Sequence, residues 1–141
     1  MAETILVIGS NGQIGTELVT KLRVIHGSIQ VVACDIRRPD YDTKHAGPFE
    51  FVNVLDKENL LAIYTKYKPT QVYILAALLS ATGEQNPKLA WDLNMNGLLN
   101  VLDFSIAFNT KKVYWPSSIA VFGPNSPKTD TPQYCIMDPN T

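Results

Sequence analysis

Apolar runs separated by polar, glycine-bearing or proline-bearing stretches recur along the chain, and between them the apolar positions shift to helical spacing. Thr4 to Ile8, Gln30 to Cys34, Phe49 to Val54, Gln71 to Ala77 and Lys112 to Trp115 are short and rich in β-branched or aromatic residues, and they predict five strands of a buried sheet. After the first run, Ile14, Leu18, Leu22 and Ile25 follow at spacings of four and three. They predict a helix that starts near Gly12 and buries this stripe. Asp56 is placed to N-cap a second helix, with Leu60, Ile63, Tyr64 and Tyr67 on one face and a stop before Pro69. The longest periodic segment, Pro87 to Phe108, offers Leu89, Leu93, Leu98, Val101, Leu102 and Ile106 as its buried set. Trp91 and Phe104 would emerge on other sides of it.

The first strand runs into Gly9-Ser10-Asn11-Gly12-Gln13-Ile14-Gly15, so strand, glycine turn and helix follow in order. In such a unit the first glycine permits the tight turn, the second lets a pyrophosphate approach the backbone, and the third lets helix and strand pack closely. Free amides and the helix dipole then hold the phosphates. Asp35 closes the second strand twenty residues after Gly15, where a carboxylate can accept hydrogen bonds from an adenosine ribose. A carboxylate there also repels a 2′-phosphate, which favours NAD; Arg37 and Arg38 follow at once and keep NADP open.

Five strands separated by helices imply an α/β fold, a Rossmann-type doubly wound parallel sheet with right-handed crossovers and strand order 3-2-1-4-5. Strand five would be an edge. A full doubly wound domain normally has a further strand beside it, so the sheet is expected to be incomplete. Residues 1–123 form the expected nucleotide-binding domain. Residues 124–141, with four of the nine prolines, read as an extended loop. Between Asp35 and Pro48 the polar composition predicts a connecting loop.

With 141 residues, 45% hydrophobic and 18% charged, the chain can build one core. A net charge of -1 with scattered Lys and Arg argues against a nucleic-acid partner. No apolar stretch reaches the roughly 20 residues that cross a bilayer, and there is no signal-peptide pattern, so a cytoplasmic, membrane-free protein is expected. Cys34 and Cys135 fit neither a metal spacing nor a disulfide framework, and His26 and His45 read as surface residues; no metal is expected.

The motifs Gly9-x-x-Gly12-x-x-Gly15, Asp35, Leu75-Ala76-Ala77, Asn94-Met95-Asn96-Gly97 and Ser117-Ser118-Ile119-Ala120-Val121-Phe122-Gly123 occur in the order seen in extended short-chain dehydrogenase/reductases. The chain resembles that family. The runs Leu75 to Glu84 and Trp115 to Pro124, with Thr131-Pro132-Gln133 and Ile136-Met137-Asp138-Pro139, are similar to its L-threonine 3-dehydrogenases in particular. The resemblance implies NAD-dependent oxidation of L-threonine to 2-amino-3-ketobutyrate by a homodimer. It implies a cofactor site of Gly9, Asn11, Gly12, Gln13, Ile14, Gly15, Asp35, Ile36, Arg37, Asn53, Val54, Leu75, Ala76, Ala77, Asn94 and Ser117. Ser80, Thr82 and Ser118 would bind substrate, and Ser118 would hydrogen-bond the reacting hydroxyl. The family's base is a tyrosine assisted by a lysine four residues on. No Tyr-x-x-x-Lys follows the serine motif here, so the 141 residues alone are expected to bind NAD without turnover, and the resemblance implies that the 124–141 loop leads toward a catalytic helix and a substrate domain missing from them. Two other readings compete: a binding module or pseudoenzyme, and a nucleotide-sugar epimerase or dehydratase sharing the cofactor half.

Overall fold

β1 (Ile5–Ile8) is entirely buried, because strands flank it on both edges and apolar layers cover both of its faces. The computed structural model describes residues 3–39 and 47–139, and these contain one five-stranded sheet. Its other strands are β2 (Val31–Asp35), β3 (Phe49–Phe51), β4 (Gln71–Ile74) and β5 (Lys112–Tyr114). All pairings are parallel, in the order β3-β2-β1-β4-β5 expected from the glycine turn. The strands are shorter than the apolar runs: Asn53 and Val54 lie beyond β3, and Leu75 to Ala77 leave the sheet after β4.

One face of the sheet packs against α2 (Lys57–Tyr67) and α5 (Gly97–Ala107), around Leu6, Ile8, Val32, Val72, Leu60, Ile63, Tyr64 and Val101. The other packs against α1 (Gln13–His26), around Ile5, Val7, Val31, Val19 and Leu22. The expected stripe of α1 is rotated. Its buried residues are Gly15, Val19, Leu22 and Arg23, whereas Ile14 and Ile25 are 65% and 60% exposed. Gly15 must face the turn, and this sets the rotation of every later residue in the helix.

Asp56 caps α2 as expected, accepting from the Asn59 N–H at 3.0 Å, and the left-handed Lys68 ends that helix before Pro69. The segment 87–107 is a helix in three parts: α4 (Pro87–Trp91), a π-turn at Asp92–Asn96, and α5. The π-turn shifts the phase, so Leu89 and Ile106 are exposed rather than buried, and Phe104 turns inward against Tyr64. A short helix, α3 (Ser80–Gln85), occupies a stretch in which no element was expected. Residues 123–139 carry no helix or strand, and the segment folds back on itself, with Asn125 Nδ2 donating to Asp138 Oδ2 at 2.7 Å and Ser126 Oγ to the Ile136 carbonyl at 2.6 Å. His45 and most of the expected 35–48 loop lie outside the described residues. No helix among the described residues is long and apolar enough to cross a membrane.

Candidate dinucleotide site

The carboxyl ends of all five parallel strands point to the same edge of the sheet, and the expected site residues lie there. Gly9 to Gly15 follow β1, Asp35 to Arg37 close β2, Asn53 and Val54 follow β3, Leu75 to Ala77 follow β4, and Ser117 and Ser118 follow β5. Strand order reverses between β1 and β4, the place where open α/β sheets leave a crevice.

Each glycine of the turn has its own steric reason. Gly9 has φ +88°, and a Cβ on it would lie 2.6 Å from the Ala76 nitrogen, so the bare residue lets the turn press against the exit of β4. A Cβ on Gly15 would lie 2.2 Å from the Gly9 carbonyl oxygen, so helix and turn could not close. Gly12 differs. A Cβ there meets only the Gly9 oxygen, at 3.4 Å, so nothing inside the protein requires glycine and its open side faces outward.

That outward face suits an anion. α1 begins without a side-chain cap, and the amides of Gln13, Ile14 and Gly15 have no acceptor among the described residues. Unpaired amides at the positive end of a 14-residue helix are a phosphate site in search of charge. The residues present therefore fit a dinucleotide pyrophosphate.

Asp35 is buried, and its two oxygens fix the neighbouring backbone: Oδ2 accepts from the Asn11 N–H at 2.9 Å and Oδ1 from the Arg37 N–H at 3.1 Å. Asn11 Nδ2 donates in turn to the Arg37 carbonyl at 2.6 Å, closing a ring between the glycine turn and the end of β2. Each carboxylate oxygen keeps capacity for a ribose hydroxyl. Arg37 is exposed, its Nε 3.8 Å from Asp35. Asn53 is exposed, and its Oδ1 accepts from the Leu55 N–H at 3.0 Å; Val54 is buried against Gly97.

Asn94 sits in the π-turn and grips one backbone residue twice. Its Oδ1 accepts from the Leu78 N–H at 2.8 Å and its Nδ2 donates to the Leu78 carbonyl at 3.1 Å. With its side chain so used, Asn94 acts by fixing the strand exit that leads to Ser80. Ser80 opens α3 and its side chain lies outside the described residues; Thr82 is within the same short helix. Ser118 is exposed, its Oγ accepting from the Ala120 N–H at 3.1 Å.

A Tyr-x-x-x-Lys spacing does occur upstream, from Tyr64 to Lys68 in and beyond α2. It is structural. Tyr64 lies fully in the core, bonded to the Val101 carbonyl at 3.2 Å and Ser105 Oγ at 2.8 Å, and burial pushes its phenol up to about 12, away from the range of a base. Sequence reasoning missed Arg23, Asn100 and Ser105, polar side chains buried at helix positions. Their only signal was a polar residue falling where the helical period places the core.

A family model for NAD dependent epimerases/dehydratases matches residues 5–141. The chain belongs to that family. NAD is the family's cofactor. Among curated relatives, an uncharacterized epimerase/dehydratase of Staphylococcus haemolyticus is 48% identical over 140 residues, 99% of this chain and 44% of the relative. One from Staphylococcus aureus is 46% identical over 138 residues, 97% of this chain and 43% of its own length. The chain thus spans less than half the length of the relatives it matches.

Among solved structures, an L-threonine dehydrogenase of Cupriavidus necator in its holo form superposes with TM-score 0.89 at 44% identity, covering 97% of this chain and 44% of that one. The L-threonine dehydrogenase of Clostridium difficile gives 0.89 at 42%, covering 99% and 44%. The UDP-glucose 4-epimerase of Thermus thermophilus, solved with NAD, gives 0.76 at 25%, covering 88% and 41%.

Proposed function

We propose that this member of the NAD dependent epimerase/dehydratase family serves the NAD-dependent oxidation of L-threonine to 2-amino-3-ketobutyrate and supplies the cofactor half of that reaction. The observation that carries the proposal is the gap between its structural relatives. L-threonine dehydrogenases match at 36–45% identity with TM-scores of 0.88–0.90, against 25–27% and 0.76–0.77 for UDP-glucose 4-epimerases.

In this reading bound NAD would supply the hydride acceptor for the carbon bearing the threonine hydroxyl. Gln13, Ile14 and Gly15 offer their amides to its pyrophosphate, Gly9 and Gly12 keep the approach open, and Asp35 holds the adenosine ribose with Ile36 and Arg37 beside it. Asn53 and Val54 border the adenine, and Leu75, Ala76 and Ala77 give the cofactor a low wall. Ser118 orients the substrate hydroxyl, while Ser80 and Thr82 suit an amino acid's charged ends. Asn94 holds these segments in place from behind, and Ser117 borders the nicotinamide half. Ser118 cannot itself take the hydroxyl proton at neutral pH; that step needs a base such as a tyrosine with a lowered pKa. We extend the reading to a cytoplasmic homodimer, with the exposed Trp91, Leu99 and Ile106 suiting a helical interface.

The test is a mixture of protein, NAD and L-threonine, followed at the NADH absorbance. The longest form of the protein is expected to produce NADH only when threonine is present, and to leave UDP-glucose unchanged. The 141 residues alone are expected to bind NAD and produce none. Cofactor binding by the longest form with no response to threonine would sink the dehydrogenase reading in favour of a binding module or an epimerase.

A further inference from the structure

Arg23 is a buried cation with no acidic partner among the described residues. It is 7% exposed on the inner face of α1, and desolvation lowers its pKa. Its guanidinium spends its donors on backbone: Nη2 donates to the Val31 carbonyl at 3.2 Å and the Pro48 carbonyl at 2.8 Å, and Nε approaches the Val31 carbonyl at 3.4 Å. Nη1 has no acceptor among the described residues. Gly47 lies against the same group, since a Cβ there would come within 2.6 Å of the Arg23 Cζ and Nε. Burying an unpaired charge is costly. A methionine would fill much of the same space without that cost.

What the charge secures is the start of a short edge ladder of the sheet. β3 pairs with β2 over three residues only, from Ala33↔Phe49 to Asp35↔Phe51, and β3 is an edge strand whose side chains are half-buried or exposed. At the start of that ladder the Pro48 carbonyl accepts from both the Ala33 N–H, at 3.1 Å, and Arg23. At its finish the Asp35 carbonyl accepts from the Val52 N–H at 3.1 Å, and the Asp35 carboxylate holds Asn11 and Arg37. Arg23, Ala33 and Phe49 also line, with Ser10, Asn11, Val19 and Pro39, a cavity of about 20 Å³ that runs to the glycine turn. The arginine and the turn thus border the same small space, and the close-packed groups around it transmit a shift from one to the other.

We propose that Arg23 is a positioning residue for the adenosine half of NAD: by pinning Val31 and Pro48 it holds β3 in register and so keeps the Asp35, Asn11 and Arg37 ring in its nucleotide-ready arrangement. This rests on the NAD reading above, and the test separates the two. Binding of NAD, of adenosine diphosphate ribose and of nicotinamide mononucleotide is measured by calorimetry for the wild-type chain, R23M and R23K, together with the melting temperature of each without ligand. Failure of the wild-type chain to bind NAD overturns the cofactor reading itself. With wild-type binding in hand, R23M is expected to lose roughly three- to thirty-fold in affinity for NAD and for adenosine diphosphate ribose alike, the span of a coupling transmitted without ligand contact. Its binding of nicotinamide mononucleotide should be unchanged, and R23K should recover part of the loss. The loss should appear even where R23M melts at or above the wild-type temperature. A folded R23M, or R23K where R23M does not fold, that binds NAD as the wild-type does overturns the proposal and leaves Arg23 a structural residue.

Discussion

Gly12 and Gly15 look alike in a motif but answer to different partners, and substitution separates them. A methyl on Gly15 meets backbone at 2.2 Å, so Gly15→Ala should cost about 2–4 kcal/mol, at the upper end of overpacking because backbone rather than a side chain must yield. A methyl on Gly12 has only a 3.4 Å contact, and its φ of -74° suits alanine. Gly12→Ala should therefore melt within about 1 kcal/mol of the wild type, yet bind NAD at least about tenfold more weakly, because the methyl stands where the pyrophosphate approaches. Thermal melts with and without NAD check both. A Gly12→Ala chain that binds NAD normally would remove the pyrophosphate from this turn. The motif made the glycines legible as a set; which neighbour each one serves depends in part on the exit of β4, far along the chain, and no local spacing carries that.

Helix α2 is hydrogen-bonded to α5 through Tyr64. Tyr64 closes a hydrogen-bonded link to Val101 and Ser105, and its ring lies 5.7 Å from Phe104 and 5.6 Å from Phe108. Burial raises its folded pKa to about 12, while an unfolded tyrosine titrates near 10. The neutral phenol is thus favoured in the fold. Its contribution is fully present below about pH 10 and is lost as pH climbs toward 12, because the unfolded chain releases its proton first. Alkaline unfolding between those values should be less steep in Tyr64→Phe, and that variant should lose roughly 1–2 kcal/mol at neutral pH from the unpaired Ser105 hydroxyl. Equal alkaline slopes in the two proteins would show that Tyr64 is not the group concerned. Periodicity placed Tyr64 on the buried face of α2, and Asp56 as its cap. It could not place α3, whose Ser80-Ala81-Thr82-Gly83-Glu84-Gln85 offers no apolar stripe, nor the π-turn, whose extra residue per turn shifts Leu89 and Ile106 outward and Phe104 inward.

Across the whole sheet the two faces are unequally covered. α2 and α5 cover one side, but on the other α1 packs chiefly over β1 and β2, and the stacked rings of Tyr73 and Tyr114, 4.4 Å apart, lie toward the edge. β5 pairs only with β4 among the described residues, and Tyr114 and Trp115 are 41% and 50% exposed. The strand order was readable because a glycine turn after the first strand fits one common winding; the uneven cover was not, because it depends on which helix crosses which strand. The consequence is a gradient of local stability. In hydrogen exchange, amides of β1 should open only with global unfolding, whereas those of Lys112 to Tyr114 should exchange through cheaper local opening. Adding NAD at about a hundred times its Kd should raise global stability by about 2.7 kcal/mol by mass action. It should slow exchange at Gly12 to Thr16 and Leu75 to Ala77 beyond that general shift, since these backbones form the crevice. β5, remote from the pyrophosphate and opening on its own, should keep its rate. Uniform slowing that includes β5 would mean that the nucleotide tightens the sheet as one unit, contrary to a pyrophosphate cradle confined to the β1 and β4 exits.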